Sequence, residues 1–205
     1  MESQGELSRL SSADQEAVGE MSSLFLLCKN RDDFRSAMGQ LQKYLSFEYW
    51  SVALCQMEGE FQPTSKFVNI VNFPEEFMEA YMAQAAEFFD VIVVHNFKEV
   101  DFGELQWWED TMKHTEENPD ILPPEMYEMH RHWQDFLDEW GILRSGFSLG
   151  ERSHFAAEDK WYGSIVNYGD KIENTERNRT FIKAVIQAQH VGILSMFRQE
   201  LLDKE

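Results

Sequence analysis

The side chains able to do chemistry are six histidines, two cysteines and thirty-seven carboxylates, and their spacing limits what they can do. His130 and His132 stand two apart on an expected helix, which turns their side chains about 200° away from each other. Glu128 with His132, and Glu151 with His154, are near enough in sequence to meet. Neither pair has a third donor close by, and there is no Cys-x-x-Cys to complete a metal site. Solvated histidines are the expected state. Gly146-Phe147-Ser148-Leu149-Gly150 has the Gly-x-Ser-x-Gly spacing but falls inside an expected strand and not at a strand-to-helix elbow, and a phosphate loop and a dinucleotide glycine fingerprint are both missing. Cys28 and Cys55 make no disulfide framework and read as reduced thiols. The expectation is a non-enzyme without metal or cofactor, in which a small molecule would enter only as a ligand.

The aromatic residues carry more information. There are 16 Phe, 6 Trp and 6 Tyr, and they bunch in Phe73, Phe77, Tyr81, Phe88, Phe89, Phe97, Phe102, Trp107 and Trp108. Ordinary core packing accounts for most of them. Against that stands an expected strand on which Ser51, Ala53 and Cys55 put three small side chains on one face. Small residues beneath bulky aromatic helices either pack closely or leave a cavity. An aromatic-lined cavity with few polar groups suits an amphiphilic small molecule.

The elements that must position these residues follow from hydrophobic period. Ser11 or Ser12, with Asp14 and Glu16 behind it, caps a helix carrying Val18, Met21, Leu24, Phe25 and Cys28. A second helix holds Phe34, Met38, Leu41 and Leu45 on one side. From Phe47 the period shortens to two: Trp50, Val52 and Leu54 alternate with the small residues, and residues 66–72 read as the hairpin partner across a loop holding Gly59 and Pro63. Pro74, followed by Glu75 and Glu76, opens a helix bearing Phe77, Tyr81 and Ala85. Residues 91–94 fit either a strand or a short buried helix. Pro123 and Pro124 introduce a helix through Met126, Trp133, Phe136 and Trp140 that Gly141 stops. Strands follow near 146–152 and 161–168, and a long last helix begins near Asn174. Helices, strands, helices, strands and helix in that order predict an α+β fold: an α-β-α sandwich whose central antiparallel sheet has helices on both faces.

With 205 residues and 43% apolar content the chain is expected to form one domain over 1–205, with roughly the first ten residues disordered. Eighteen basic residues against 37 acidic ones give a formal charge of −19. The stretch 104–141 alone holds eleven acids against Lys113 and Arg131. A pI near 4.6 argues against a surface for phosphate backbones, so direct nucleic-acid binding is not expected. No apolar run reaches the roughly 20 residues of a spanning helix, and the start lacks a signal-peptide profile. A cytoplasmic setting off the membrane is the expectation.

The run Asn72-Phe73-Pro74-Glu75-Glu76-Phe77-Met78-Glu79-Ala80-Tyr81, then Asp90, resembles the signature of the autoinducer-binding domain of LuxR-type quorum-sensing regulators. Members show Asn-Tyr-Pro, Trp three residues on, Tyr four later and Asp-Pro nine further. Trp107-Trp108 falls where that family carries a pocket tryptophan. Residues 136–148 resemble its acidic helix running into a Gly-Leu-Arg-x-Gly turn and a strand, and residues 161–164 its Gly-centred final strand. The resemblance spans about residues 15–200. It implies the same α-β-α sandwich, with an acyl-homoserine lactone or related amphiphile held between the sheet and one helical layer. By position it implies ligand contact at Asp90, with Tyr81 along the acyl or ring region and Trp108, or alternatively Trp107, over the lactone. Ser148 would supply a hydroxyl, Ser51, Ala53 and Cys55 the floor, and Val166 on the final strand completes the set.

Phe73 replaces the family's carbonyl-binding Tyr, Phe77 its lactone-binding Trp, and Val91 the Pro after the Asp. The first two changes delete hydrogen-bond donors while keeping apolar rings. The family's basic helix-turn-helix has no counterpart after Leu202, so the expected role is sensing a small-molecule signal and pairing into homodimers, or heterodimers with a LuxR-type regulator. The alternative is a protein-interaction module that holds full-length regulators in inactive heterodimers, using the stripe Ile182, Val185, Ile186 and Leu194 on the last helix.

Overall fold

The computed structural model describes residues 7–59, 62–84, 103–142 and 145–203. Helix α1 (Ser12–Leu26) starts where Ser11 accepts a hydrogen bond from the Asp14 backbone N–H, and α2 (Arg31–Leu45) where Asn30 accepts from Asp32 and Asp33. Strands β1 (Tyr49–Glu58) and β2 (Gln62–Val71) form the expected hairpin. Its second strand begins earlier than residue 66. Pro63 is not in the loop but in the strand, opposite Met57 and past a bulge between Cys55 and Met57. An edge strand tolerates a residue without an N–H there. Helix α3 (Glu75–Gln84) follows Pro74 directly.

A two-residue strand, β3 (Gln106–Trp107), leads into α4 (Trp108–Glu117), which the sequence reading passed over. The reason is physical: α4 buries only Met112 and Thr115, too few apolar positions to show a period. A 3₁₀ turn (Pro119–Ile121) precedes α5 (Pro124–Glu139), and Gly141, with φ +65°, ends that segment. Strands β4 (Gly146–Phe155) and β5 (Lys160–Gly169) and the long α6 (Glu176–Leu202) complete the chain. The 91–94 segment lies outside the described residues.

The five strands order as β2-β1-β5-β4-β3, and every neighbouring pair is antiparallel. Helices cover both faces. On one, Trp50, Val52, Leu54, Phe147, Leu149, Tyr162, Val166 and Tyr168 pack with α1, α2 and α6. On the other, Phe77, Met112, Phe136, Leu137 and Ile142 form a smaller core from α3, α4 and α5. The α-β-α sandwich is therefore the observed fold. The α6 stripe proposed for pairing is consumed inside the monomer: Ile182 and Val185 are 0% exposed, Ile186 4% and Leu194 9%. A helix laid on a sheet spends its apolar face there first. Among the described residues of this layer, the large apolar side chains left exposed are Leu24, Leu26, Leu27 and Val191.

Candidate ligand-binding site

Strand register assembles the site. Ser51 on β1 lies opposite Asn167 on β5, and Asn167 opposite Ser148 on β4, so three polar side chains form a row across the sheet. Side chains alternate along each strand, so this row faces α3, α4 and α5, while Trp50, Val52, Val166 and Tyr168 face the opposite core. Two residue pairs along, on the same face, Gly146 lies opposite Gly169. The Trp108 indole rests on these two glycines: a Cβ added at Gly146 would stand 2.6 Å from the Trp108 ring, and one at Gly169 would stand 2.8 Å from it. Their missing side chains make the space for Trp108.

Hydrogen bonds link the row end to end. Trp108 Nε1 donates to Ser148 Oγ at 2.7 Å, the Ser148 hydroxyl donates to Asn167 Oδ1, and Asn167 Nδ2 donates to Ser51 Oγ at 2.8 Å. Facing this polar row is an aromatic ladder. Tyr49 stacks on Phe73 with ring centroids 5.2 Å apart, Phe73 on Phe77 at 4.9 Å, and Phe77 on Tyr81 at 6.4 Å. Trp133 meets Tyr81 edge-on at 5.6 Å. Between row and ladder lies a cavity of about 200 Å³, bounded also by Asn69, Val71, Met78, Met112, Leu137 and Ile142. Mostly apolar walls with a few convergent polar groups are the usual make-up of a small-molecule site.

Of the expected residues, Ser51, Ala53, Phe73, Phe77, Tyr81 and Trp108 border this cavity, and Ser148 stands directly behind Trp108. Cys55 continues the same strand face beyond them, with its thiol donating to the Gly163 carbonyl at 3.4 Å. Burial pushes that thiol up to about 12, so it stays protonated and unreactive. Trp107 and Val166 lie elsewhere, because alternation turns them to the α6 face. There Trp107 packs on Phe147 at 4.8 Å and donates to Glu109, and Val166 joins the large core. Asp90 lies outside the described residues. Asn167 was missed. Its signal was a lone amide between Val166 and Tyr168, in a strand where amides are depleted.

A second polar cluster sits on the other face. His190 on α6 is 3% exposed and bridges two strands, with Nε2 2.9 Å from Ser153 Oγ and Nδ1 2.8 Å from Ser164 Oγ. Burial lowers its pKa from 6.5 to about 4, so the ring is neutral at pH 7. His130 is fully buried as well, so neither of these histidines is solvated. Among the described residues no cluster of three potential metal ligands forms, and no helix is long and apolar enough to cross a membrane.

No protein-family model matches the sequence, and no curated protein matches it. Solved structures do. CepR2 from Burkholderia cenocepacia, an N-acylhomoserine-lactone-dependent LuxR-family transcription factor, superposes with a TM-score of 0.54 at 13% identity, covering 92% of this chain and 98% of its own. Escherichia coli SdiA matches with a TM-score of 0.56 at 11% identity, over 88% of this chain and 68% of its own. SdiA in complex with octanoyl-rac-glycerol gives 0.57 at 11%, over 93% and 69%. The structural neighbours are thus LuxR-family autoinducer-binding domains, and what the chain shares with them is the fold.

Proposed function

We propose that this chain is a signal-sensing domain of LuxR type, which takes an acyl-tailed amphiphile into the cavity beneath the aromatic ladder to control transcription in the cytoplasm. The observation that carries the reading is the cavity itself: an apolar hollow with a single hydrogen-bonded row along its floor. An acyl tail would replace the missing packing between ladder and floor, and the row would meet the polar head. The fold neighbours add support, since one is described as acylhomoserine-lactone dependent and another holds an octanoyl glycerol.

Ligand at a hundredfold excess over its Kd adds about 2.7 kcal/mol to the folded state. For a domain of this size that raises the melting midpoint by about 5–10 °C. Thermal melts with octanoylglycerol and with acyl-homoserine lactones of four to fourteen carbons are expected to show such a rise for at least one compound. A flat response across the whole panel rejects the reading.

The ladder also sets a preference. Phe73 and Phe77 offer stacked rings and no donor, where the resembled family offers a phenol and an indole. Phe73→Tyr with Phe77→Trp restores both donors. It is expected to tighten lactone binding by about tenfold per donor, checked by titration calorimetry. The larger indole must enter a position that is 3% exposed, so the same double variant is expected to lose about 1–3 kcal/mol of stability in the free protein.

A further inference from the structure

We infer that the open end of the Trp108–Ser148–Asn167–Ser51 relay is a binding site for a carbonyl oxygen, at which Ser51 and Asn167 select acyl ligands by their ester or lactone carbonyl. The inference rests on the reading above and deepens it, naming two residues and one functional group.

The direction of the relay follows from what each group can donate. An indole N–H only donates, so Ser148 Oγ must accept from Trp108. Two arrangements of the remaining groups satisfy the distances. In the first, the Ser148 hydroxyl donates to the Asn167 carbonyl, the Asn167 amide donates to Ser51, and the Ser51 hydroxyl proton is left over. In the second, the Asn167 amide is turned over, Ser51 donates to it, and the Ser148 proton is left over. Burial decides between them. Ser148 is 0% exposed, so a leftover donor there would be a buried unsatisfied group. Ser51 and Asn167 are half-buried and border the cavity, so a leftover donor there points at whatever enters. The first arrangement strands nothing inside the protein.

The consequence is a chemical preference. The Ser51 O–H and the second N–H of Asn167 both lie at one end of the relay, and both donate. A carbonyl oxygen has two lone pairs and can accept from both. A ligand N–H finds at this end only the second lone pair of Ser51 Oγ, and an ether oxygen is a poorer acceptor than a carbonyl. Ser51 and Asn167 are joined only by strand pairing, 116 residues apart in sequence, so the site exists only in the folded sheet.

The test compares octanoylglycerol with octylglycerol, its ether counterpart, which lacks the carbonyl and keeps the chain and hydroxyls. Titration calorimetry on the unsubstituted protein is expected to show the ester binding about tenfold tighter than the ether. Ser51→Ala is expected to lose part of the ester's advantage, severalfold, because the Asn167 N–H still donates, and to leave the ether unchanged. Equal affinities for the two compounds on the unsubstituted protein overturn the inference while keeping the acyl-ligand reading, and so does a Ser51→Ala variant that weakens both alike. Binding of neither compound overturns the inference, and the reading on which it rests falls with it only if the lactone panel is flat as well.

Discussion

Substituting alanine for Gly146 is expected to destabilise the protein by about 2–3 kcal/mol, a fall of about 5–10 °C in melting midpoint, and to abolish ligand-induced stabilisation. The new Cβ would stand 2.6 Å from the Trp108 ring and 2.6 Å from the Tyr168 carbonyl. Tyr168 belongs to β5, which is paired on both sides and cannot retreat. The indole must therefore move. Once it moves, its N–H leaves Ser148, and the relay loses the donor that fixes its direction. A double-mutant cycle with Trp108→Ala separates the two contacts. If the indole takes part of the clash, Gly146→Ala costs less once Trp108 is gone, the remainder being the contact with the Tyr168 carbonyl. Strict additivity would show that the indole does not rest on Gly146.

The second large effect is a response to acid. His190 titrates near 4 in the folded protein and near 6.5 when unfolded, because burial between β4, β5 and α6 disfavours the imidazolium. Between those values the unfolded chain binds the extra proton, so stability falls as pH drops from 6.5 to 4. The difference is worth about 3 kcal/mol. Glu151, opposite Ser164, acts the other way: burial raises its pKa, so acid favours its folded form. Glu151 therefore offsets part of the His190 contribution, while Asp14, held low by the Arg177 hydrogen bond, adds to the loss of stability in acid. His190→Gln isolates that contribution. At pH 7 the variant is expected to be less stable, because the hydrogen bonds to Ser153 and Ser164 are disturbed. The gap between variant and parent should shrink by about 3 kcal/mol by pH 4. Urea melts at a series of pH values check this, and parallel stability curves would show that His190 is not the titrating group.

Much of the architecture was legible because its causes are local. Ser11 caps α1, Pro74 precedes α3 and Gly141 closes the segment after α5, each where its backbone chemistry requires. The small-residue face of β1 was legible from alternation alone, and Ser51 and Ala53 do border the cavity. Helix α4 was not, since a helix burying two residues leaves no apolar rhythm to read. The α6 stripe was legible as apolar, but its partner was not. A stripe facing a sheet and a stripe facing a second chain have the same period.

Sequence alone determined the alternation of helix and strand, the two-sided cladding of the sheet, and an aromatic layer over small residues, because each depends on periodicities of two or 3.6 within a few turns of chain. Tertiary structure decided that Trp108 rather than Trp107 covers the polar row, that Asn167 joins Ser51 to Ser148, and that His190 is buried between two hydroxyls. Those contacts depend on strand register, and a slip of one residue would send Ser51, Ser148, Ser164 or Asn167 to the other face, away from its partners. Register is set by pairing between segments more than a hundred residues apart, as Ser51 and Asn167 are, and no local pattern encodes it.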